Sequence, residues 1–419
     1  MDMETDVKPQ AERTFVDLTS YDDTTAVWRC PHASVQIDGE GDEHYHHGTL
    51  IRLDGEAHAR RRRAMGMLLA RRGHVQFRDK WLVPVANEAV KSLLAQAGPE
   101  GVSIEVVKWG RRVSQQLAAA MTGYDDGTTP EGADRLFALS QRMIAGRPSL
   151  LEVIAGGIDE SDPVYQDGLA AKQKIIESFH KPALQRREQM VRDVVAGKLS
   201  QDELPVDFLT VAAQQVDPAW SDPLQVERDA LLLLGAAVHT TTNSLTWALR
   251  EIFEWVDNHP DQSERLSNDA FLLAAAEESL RLHPVVPAIS RRLTKPLELP
   301  GGQALDRDTI AMLRLGPAGS DPEYFGEDSR SFNPDRMLTK KVARYGLAFG
   351  QSSHMCLGMP IVIGTGGVDG SLVYFLRLLL GAGARPDREH NPPFDLAPTR
   401  GQFVVAPEGY RVILGGRGV

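Results

Sequence analysis

From Gln225 to Trp255, apolar residues recur at spacings of three and four, the period of one helical face. No other stretch constrains the fold as strongly. The early part, Leu231-Leu232-Leu233-Leu234-Gly235-Ala236-Ala237-Val238, is apolar on every side, and a helix of that kind has to be buried. The chain then turns polar at His239-Thr240-Thr241-Thr242-Asn243. β-Branched threonines are mediocre helix formers because their χ1 is restricted. Three of them inside a buried helix point to a use beyond packing, unless the hydroxyls simply bond back to carbonyls one turn earlier. Ser221 and Pro223 stand where this helix would begin, as a cap and a first-turn proline.

The same period predicts helices over Phe77 to Ala97, Val102 to Thr122, Gly132 to Ala145, Tyr165 to Ala196, Leu209 to Gln215 and Phe271 to Leu282. Strand-like pieces are short: Ser34 to Ile37, Thr49 to Leu53, Leu297 to Leu299, Thr309 to Arg314, Gln402 to Val405 and Tyr410 to Leu414. The fold class is therefore mainly α with minor β-sheet. A length of 419 residues admits one large domain or two ordinary ones.

Charge excludes some partners. Lys and Arg number 46 against 57 Asp and Glu, a formal charge of −11, which disfavours nucleic acid. The start, Met1 to Arg13, lacks the basic and apolar pattern of a signal peptide. The apolar run Ala230 to Val238 falls well short of the roughly 20 residues that cross a bilayer. The expectation is a soluble, cytoplasmic protein that engages no membrane. The two cysteines, Cys30 and Cys356, cannot build a disulfide scaffold or a four-thiolate zinc site, and a reducing compartment makes a bridge between them unfavourable.

Cys356 sits in Phe349-Gly350-Gln351-Ser352-Ser353-His354-Met355-Cys356-Leu357-Gly358. The small residues imply a tight loop whose backbone approaches something closely. A loop feeding a helix would lower the thiol pKa. The plain alternative is an ordinary buried cysteine beside a turn.

This loop resembles the haem-binding loop of the cytochrome P-450 family, Phe-x-x-Gly-x-x-x-Cys-x-Gly. Phe349, Cys356 and Gly358 match, while Ser352 stands where the pattern has Gly. The resemblance extends over nearly the whole chain. Glu278-Ser279-Leu280-Arg281 resembles the family's Glu-x-x-Arg, and Phe332-Asn333-Pro334-Asp335-Arg336 the later segment whose Arg completes a buried network. Residues three apart share a helical face. His58-Ala59-Arg60-Arg61-Arg62 resembles His-x-x-x-Arg. The resemblance implies that Cys356 ligates haem iron and that His58, Arg62, Arg291 and His354 hold haem propionates, with Arg292 as the register alternative to Arg291. The remaining arginines of the 60–63 run, with Arg71 and Arg72, read as a solvated face or as a docking patch for an acidic electron donor.

In the central helix, Ala236 and Ala237 align with the family's small residues and Thr240 with its oxygen-orienting alcohol. His239 stands where the family has Asp or Glu. Imidazole, with an ordinary pKa of about 6.5, can also shuttle protons, or His239 points away and bonds a neighbouring helix. After Cys356 the chain departs again: Gly364, Gly366, Gly367 and Gly370 weaken a helix expected there, so a good helix is expected only from Ser371 to Leu380. Ile361 to Gly366 reads like a dinucleotide loop, but Asp369 occupies its third-Gly position. The acidic, histidine-rich stretch Gly39 to Gly48 reads as an access loop, with a metal site as the weaker alternative.

The resemblance thus implies a P-450 fold: a short atypical segment, residues 1–57, before one helical haem domain, residues 58–419. The implied activity is a haem b monooxygenase of secondary metabolism that inserts one oxygen atom into a small or medium organic substrate. NAD(P)H electrons would arrive through a ferredoxin or flavodoxin-type donor and its reductase, with no such domain visible in the chain. Leu234, Ala237 and Val286 are expected to line the substrate pocket. Two alternatives remain open, a peroxide-using haem-thiolate catalyst and a non-catalytic haem-based ligand binder.

Overall fold

The computed structural model describes residues 14–37, 44–148, 159–391 and 409–416. One helix, Pro223–Asn258, organises them. Its 36 residues reach about 54 Å at 1.5 Å per residue. The Asp222 side chain caps it by accepting from Leu224 N, with Pro223 in the first turn; the cap is Asp222 and not Ser221.

The two halves of this helix serve different cores. Val226, Ala230, Leu231, Leu234 and Val238 pack with Leu136, Tyr124, Phe179 and Phe208. Leu245, Leu249, Ile252 and Phe253 pack with Trp109, Leu280, Phe375 and Leu376. The polar His239–Asn243 stretch lies where one core gives way to the other. Helix Val106–Thr122 crosses it closely. A Cβ on Gly110 would lie 2.9 Å from Thr242 Cγ2, so glycine permits this approach. Helices Asp269–Leu282 and Ser371–Gly381 complete the second core.

A four-stranded sheet runs Phe15–Leu18, Ile310–Arg314, Ala288–Leu293, Ala33–Ser34. The first pair is parallel and the others antiparallel, with Arg291 opposite Ala311 and Arg292 opposite Ile310. A three-stranded sheet joins Arg385–Pro386, Arg411–Leu414 and Val102–Glu105.

The molecule is mainly helical, as expected, but several boundaries differ. Val102–Glu105 is a strand, and the Glu105 side chain caps the helix that follows by accepting from Lys108 N. Thr49 to Leu53 is no strand; Leu50–Arg52 forms a 3-10 turn. The stretches read as Phe77 to Ala97 and Tyr165 to Ala196 each contain a π turn, Arg78–Leu82 and Ile176–His180. Pro84 and Pro182 follow these turns, and a proline cannot donate the next i→i−4 bond. The strands Phe15–Leu18 and Ala288–Leu293 were not anticipated. Gln402 to Val405 lies outside the described residues.

The glycines after Cys356 build a defined structure. Helix Met359–Ile363 stops at a hairpin, Gly364–Thr365 paired with Val368–Asp369, before helix Ser371–Gly381 begins. Gly366 and Gly367 at its tip both have positive φ, 56° and 79°, as a two-residue hairpin turn of type I′ requires. The dinucleotide reading fails here: Ile361 to Ile363 is helical and no parallel strand pairs with it.

Candidate functional site

The Cys356 loop is closed by a hydrogen bond from Cys356 N to Phe349 O, 2.6 Å. Gly350 (φ 69°) passes over Trp28, where a Cβ would lie 2.5 Å from the indole. Ser352, at the family's glycine position, adopts φ 59°. That left-handed conformation costs a non-glycine residue roughly 1–2 kcal/mol. The Cys356 thiol accepts from the backbone N–H groups of Gly358 and Met359. Protein surrounds it, yet its surface is open, as for a thiol facing an internal space.

The thiol pKa departs from the expectation. Burial raises it, and the two amides and the Arg62 charge only partly offset this. The helix beyond, Met359–Ile363, has five residues, too short for a strong dipole.

A basic wall adjoins the loop. His58 and Arg62 share one face of helix Gly55–Gly66. The His58 ring stacks on His354 at 4.0 Å between centroids. His354 Nε2 lies 3.4 Å from Asp54 Oδ1. Burial, helped by the neighbouring His354 and Arg62, pulls the His58 pKa down to about 4. Arg291 is buried, 6% exposed. It donates to its own Ser290 carbonyl, 2.8 Å, and lies over the Trp28 ring. Among the described residues it has no carboxylate at ion-pair distance, and burial lowers its pKa to about 10. Strand alternation sends Arg292 the other way, to Asp308 at 2.9 Å and Gln36 O at 3.1 Å. Of the two, Arg291 is the one on the cavity.

Sequence reasoning missed Arg61. It is 2% exposed and pairs with Asp217 (2.9 Å) and Asp229, with its guanidinium over Trp220. Arg60 also reaches Asp217, at 3.5 Å, and Arg72 pairs with Asp202. The run is therefore not one docking face; Arg63 and Arg71 are exposed and have no carboxylate at ion-pair distance among the described residues. No local signal marks which of four consecutive arginines turns inward, because its partners lie far along the chain.

A cavity of about 410 Å³ extends from this wall to the central helix. Leu232, Gly235, Ala236, His239 and Thr240 line it, with Val286 opposite. Leu234 and Ala237 do not. Leu234 is fully buried in the core and Ala237 packs against it. A helix shows one face to a cavity, and these two residues fall outside the 232–236–239/240 stripe.

Thr240 Oγ1 donates to Ala236 O at 2.7 Å, and Thr242 bonds back to Val238 O in the same way. The Thr240 oxygen keeps acceptor lone pairs on the cavity side. His239 is buried, 4% exposed, and its Nε2 accepts from Gln141 Nε2 of helix Pro130–Ala145 at 2.9 Å. That places the ring proton on Nδ1, which has no partner among the described residues. Burial first, then the charges of Arg111 and Arg147, lowers the His239 pKa to about 3. The imidazole is neutral at physiological pH.

Behind the loop lies the anticipated network. Arg281 Nε and Nη2 donate to Glu278 at 2.8 and 2.6 Å, and Arg336 Nε adds a third bond at 2.8 Å. All three side chains are at most 3% exposed. Arg281 also ties down Gly319 O and Ser329 O, and Arg336 ties down Ser331 O. Residues 39–43 of the histidine-rich stretch lie outside the described residues, and among the described residues no three His, Cys, Asp or Glu side chains converge. No described helix is long and apolar enough to cross a membrane.

The sequence model described as Cytochrome P450 matches residues 40–363. The mitochondrial 1,25-dihydroxyvitamin D(3) 24-hydroxylase of Rattus norvegicus is 38% identical over 141 residues, 29% of this chain. That match spans only 27% of the relative's length. The C-19 steroid 1alpha-hydroxylase of Sorangium cellulosum is 24% identical over 75% of this chain and 70% of its own. Among solved structures, substrate-free CYP109E1 from Bacillus megaterium superposes with a TM-score of 0.69 at 19% identity, covering 99% of this chain and 96% of that one. Ligand-free CYP164A2 of Mycobacterium smegmatis gives 0.67 at 17% identity, covering 96% and 91%. These superpositions show that the fold is shared.

Proposed function

The chain belongs to the cytochrome P-450 family, and we propose on that premise that it is a haem-thiolate monooxygenase acting on a small or medium organic substrate. The observation that carries the reading is Arg291, a buried guanidinium without a carboxylate partner among the described residues, on the cavity that also holds His354 and Thr240. A buried charge needs a counter-charge, and the propionates of haem b would supply one. The donor set fits that group: one accessible thiol, and a wall formed by His58, Arg62, Arg291 and His354.

When bound, thiolate-ligated haem supplies the oxygen chemistry, the thiolate favouring O–O cleavage. The chain's own residues bind and orient. Cys356 would ligate the iron, its sulfur held by the amides of Gly358 and Met359. The Glu278–Arg281–Arg336 network fixes the backbone behind the loop. Thr240 offers a hydroxyl oxygen as acceptor while its proton is spent on Ala236 O. His239 cannot act as a charged acid near neutrality. It passes a proton only by taking one at Nε2, where Gln141 now donates, and releasing one at Nδ1. Electrons would come from NAD(P)H through a ferredoxin or flavodoxin-type donor and its reductase.

The neutral His239 favours a second reading, in which peroxide serves as oxidant and proton feed from this position is not required. The haem-loaded protein is expected to show a reduced, carbon-monoxide-bound Soret band near ~450 nm. Its absence with Cys356 intact would overturn the haem-thiolate assignment. Product formation with redox partners and dioxygen, compared with peroxide alone, separates the two oxidants; turnover with neither would leave a ligand binder.

A further inference from the structure

Arg61 joins three parts of the molecule that border the cavity. It stands on helix Gly55–Gly66, one residue before Arg62. Its Nη1 donates to Gly48 O at 3.3 Å and to Asp229 of the central helix, and its Nε donates to Asp217 at 2.9 Å. Gly48 has φ 68°, and a Cβ there would lie 2.5 Å from Gln225 Oε1. Glycine thus lets residues 44–52 press directly on the first turn of the central helix. Tyr45, His46 and Ile51 of this stretch line the cavity, and Ile51, 48% exposed, stands at its rim. The stretch is a strap, tied to the central helix through Arg61 and Asp229.

The charges at this tie do not balance. Asp217 and Asp229 are both 0% exposed and share one buried guanidinium. Asp217 also receives Ala219 N and Arg60, so both its oxygens are occupied. Asp229 Oδ2 receives Arg61, Trp220 Nε1 and Gln225 Nε2, while Oδ1 has no hydrogen-bond partner among the described residues. The Leu50 N–H of the strap approaches the same carboxylate. Among the described residues, the charge that acts on Asp229 is that of Arg61. Lys172, which donates to His44 O of the strap at 2.6 Å, is paired with Glu227 at 3.0 Å. A buried carboxyl short of partners favours its neutral form. Burial accordingly raises the Asp229 pKa to about 6, against the pull of Arg61.

We propose that Asp229 is a proton-controlled latch: its neutral carboxyl keeps the strap closed at the cavity rim, and its ionisation loosens the strap. The proton passes between bulk water and Asp229, and no other bond changes. In an opened strap the hydrated Asp229 returns to its ordinary pKa of 3.8, so the closed strap is the form that binds the proton more tightly. Lowering the pH from about 7 to about 5 therefore favours closure by about ten-fold. The latch depends on the cavity walls and not on what the cavity holds.

Amide hydrogen exchange of residues 44–52 in the haem-loaded protein, measured at about pH 7 and about pH 5 and corrected for the intrinsic exchange rate, reads the opening. Protection is expected to rise about ten-fold at the lower pH. Asp229→Asn puts a neutral amide in place of the carboxyl and should give the high protection at both pH values. Protection that does not change with pH in the unaltered protein overturns the proposal whether or not the variant folds. Faster exchange of Asp229→Asn than of the unaltered protein at both pH values overturns it too, since that marks an ion pair that only holds the fold. The exchange reads the strap whether or not the protein shows the ~450 nm band, so failure of the haem-thiolate reading is seen separately.

Discussion

Replacing Glu278 with alanine is expected to cost more than any exposed ion pair in the molecule. Glu278 accepts three side-chain bonds from Arg281 and Arg336, and a fourth from Asn333 N at 3.2 Å. Its removal leaves Arg281, 1% exposed, without a carboxylate partner among the described residues, while Arg336 keeps Asp328 at 2.6 Å. Stripping one partner from a buried ion pair costs about 3–5 kcal/mol, because the remaining charge stays desolvated. Unfolding entropy of about 2.1 cal/mol/K per residue amounts to roughly 0.9 kcal/mol/K over 419 residues. The midpoint should therefore fall by about 3–6 °C. Asp335→Asn is the control. It breaks the Arg265–Asp335 pair, which is shorter than 3 Å but has side chains 31% and 60% exposed, and such pairs are worth about 1 kcal/mol at most. Thermal unfolding by circular dichroism reads both. Should Glu278→Ala melt within about 1 °C of the control, the buried network does not hold the region behind the Cys356 loop and the reasoning fails.

Two other perturbations have signs set by the structure. His239 has a folded pKa of about 3, below its ordinary value of about 6.5, so the unfolded chain takes up a proton that the folded chain refuses; stability is complete above the upper value and drains away as pH falls towards the lower. His239→Gln should flatten denaturant-derived stability across that window by up to about 1.4 kcal/mol per pH unit, and an unchanged slope would refute the neutral buried imidazole. Arg291→Met removes a buried guanidinium that has no carboxylate partner among the described residues. The haem-free chain should keep its stability or gain, while the rate of haem transfer to an acceptor such as apomyoglobin rises; a loss above about 1 kcal/mol in the haem-free chain would show that Arg291 is structural.

Much of the site was legible because its residues are close in sequence. The Glu278–Arg281 pair is one helical turn, His58 and Arg62 share one face, and Phe349 to Gly358 is a single loop. The glycines after Cys356 announced a broken helix, and a hairpin is what they form. Where the period was read alone, it failed at the edges. Val102 and Ile104 satisfied a helical spacing but pair with Leu414 and Val412 in a sheet, since a short alternating segment fits both periods.

Composition and local spacing by themselves determined a helical molecule and the polar interruption of the central helix, while the thiol loop and the basic pair before it were marked by their resemblance to the P-450 family's motifs. Each of these depends on neighbours within a few residues, where backbone geometry dictates which side chains meet. Tertiary packing alone decided that Arg61 is consumed by Asp217 and Asp229. It also decided that Arg291 and not Arg292 turns inward, that Leu234 is core and not pocket, and that His239 meets Gln141. Those contacts join segments far apart in the chain, and burial against distant surfaces, which no local pattern encodes, sets the charge state of the groups that meet there.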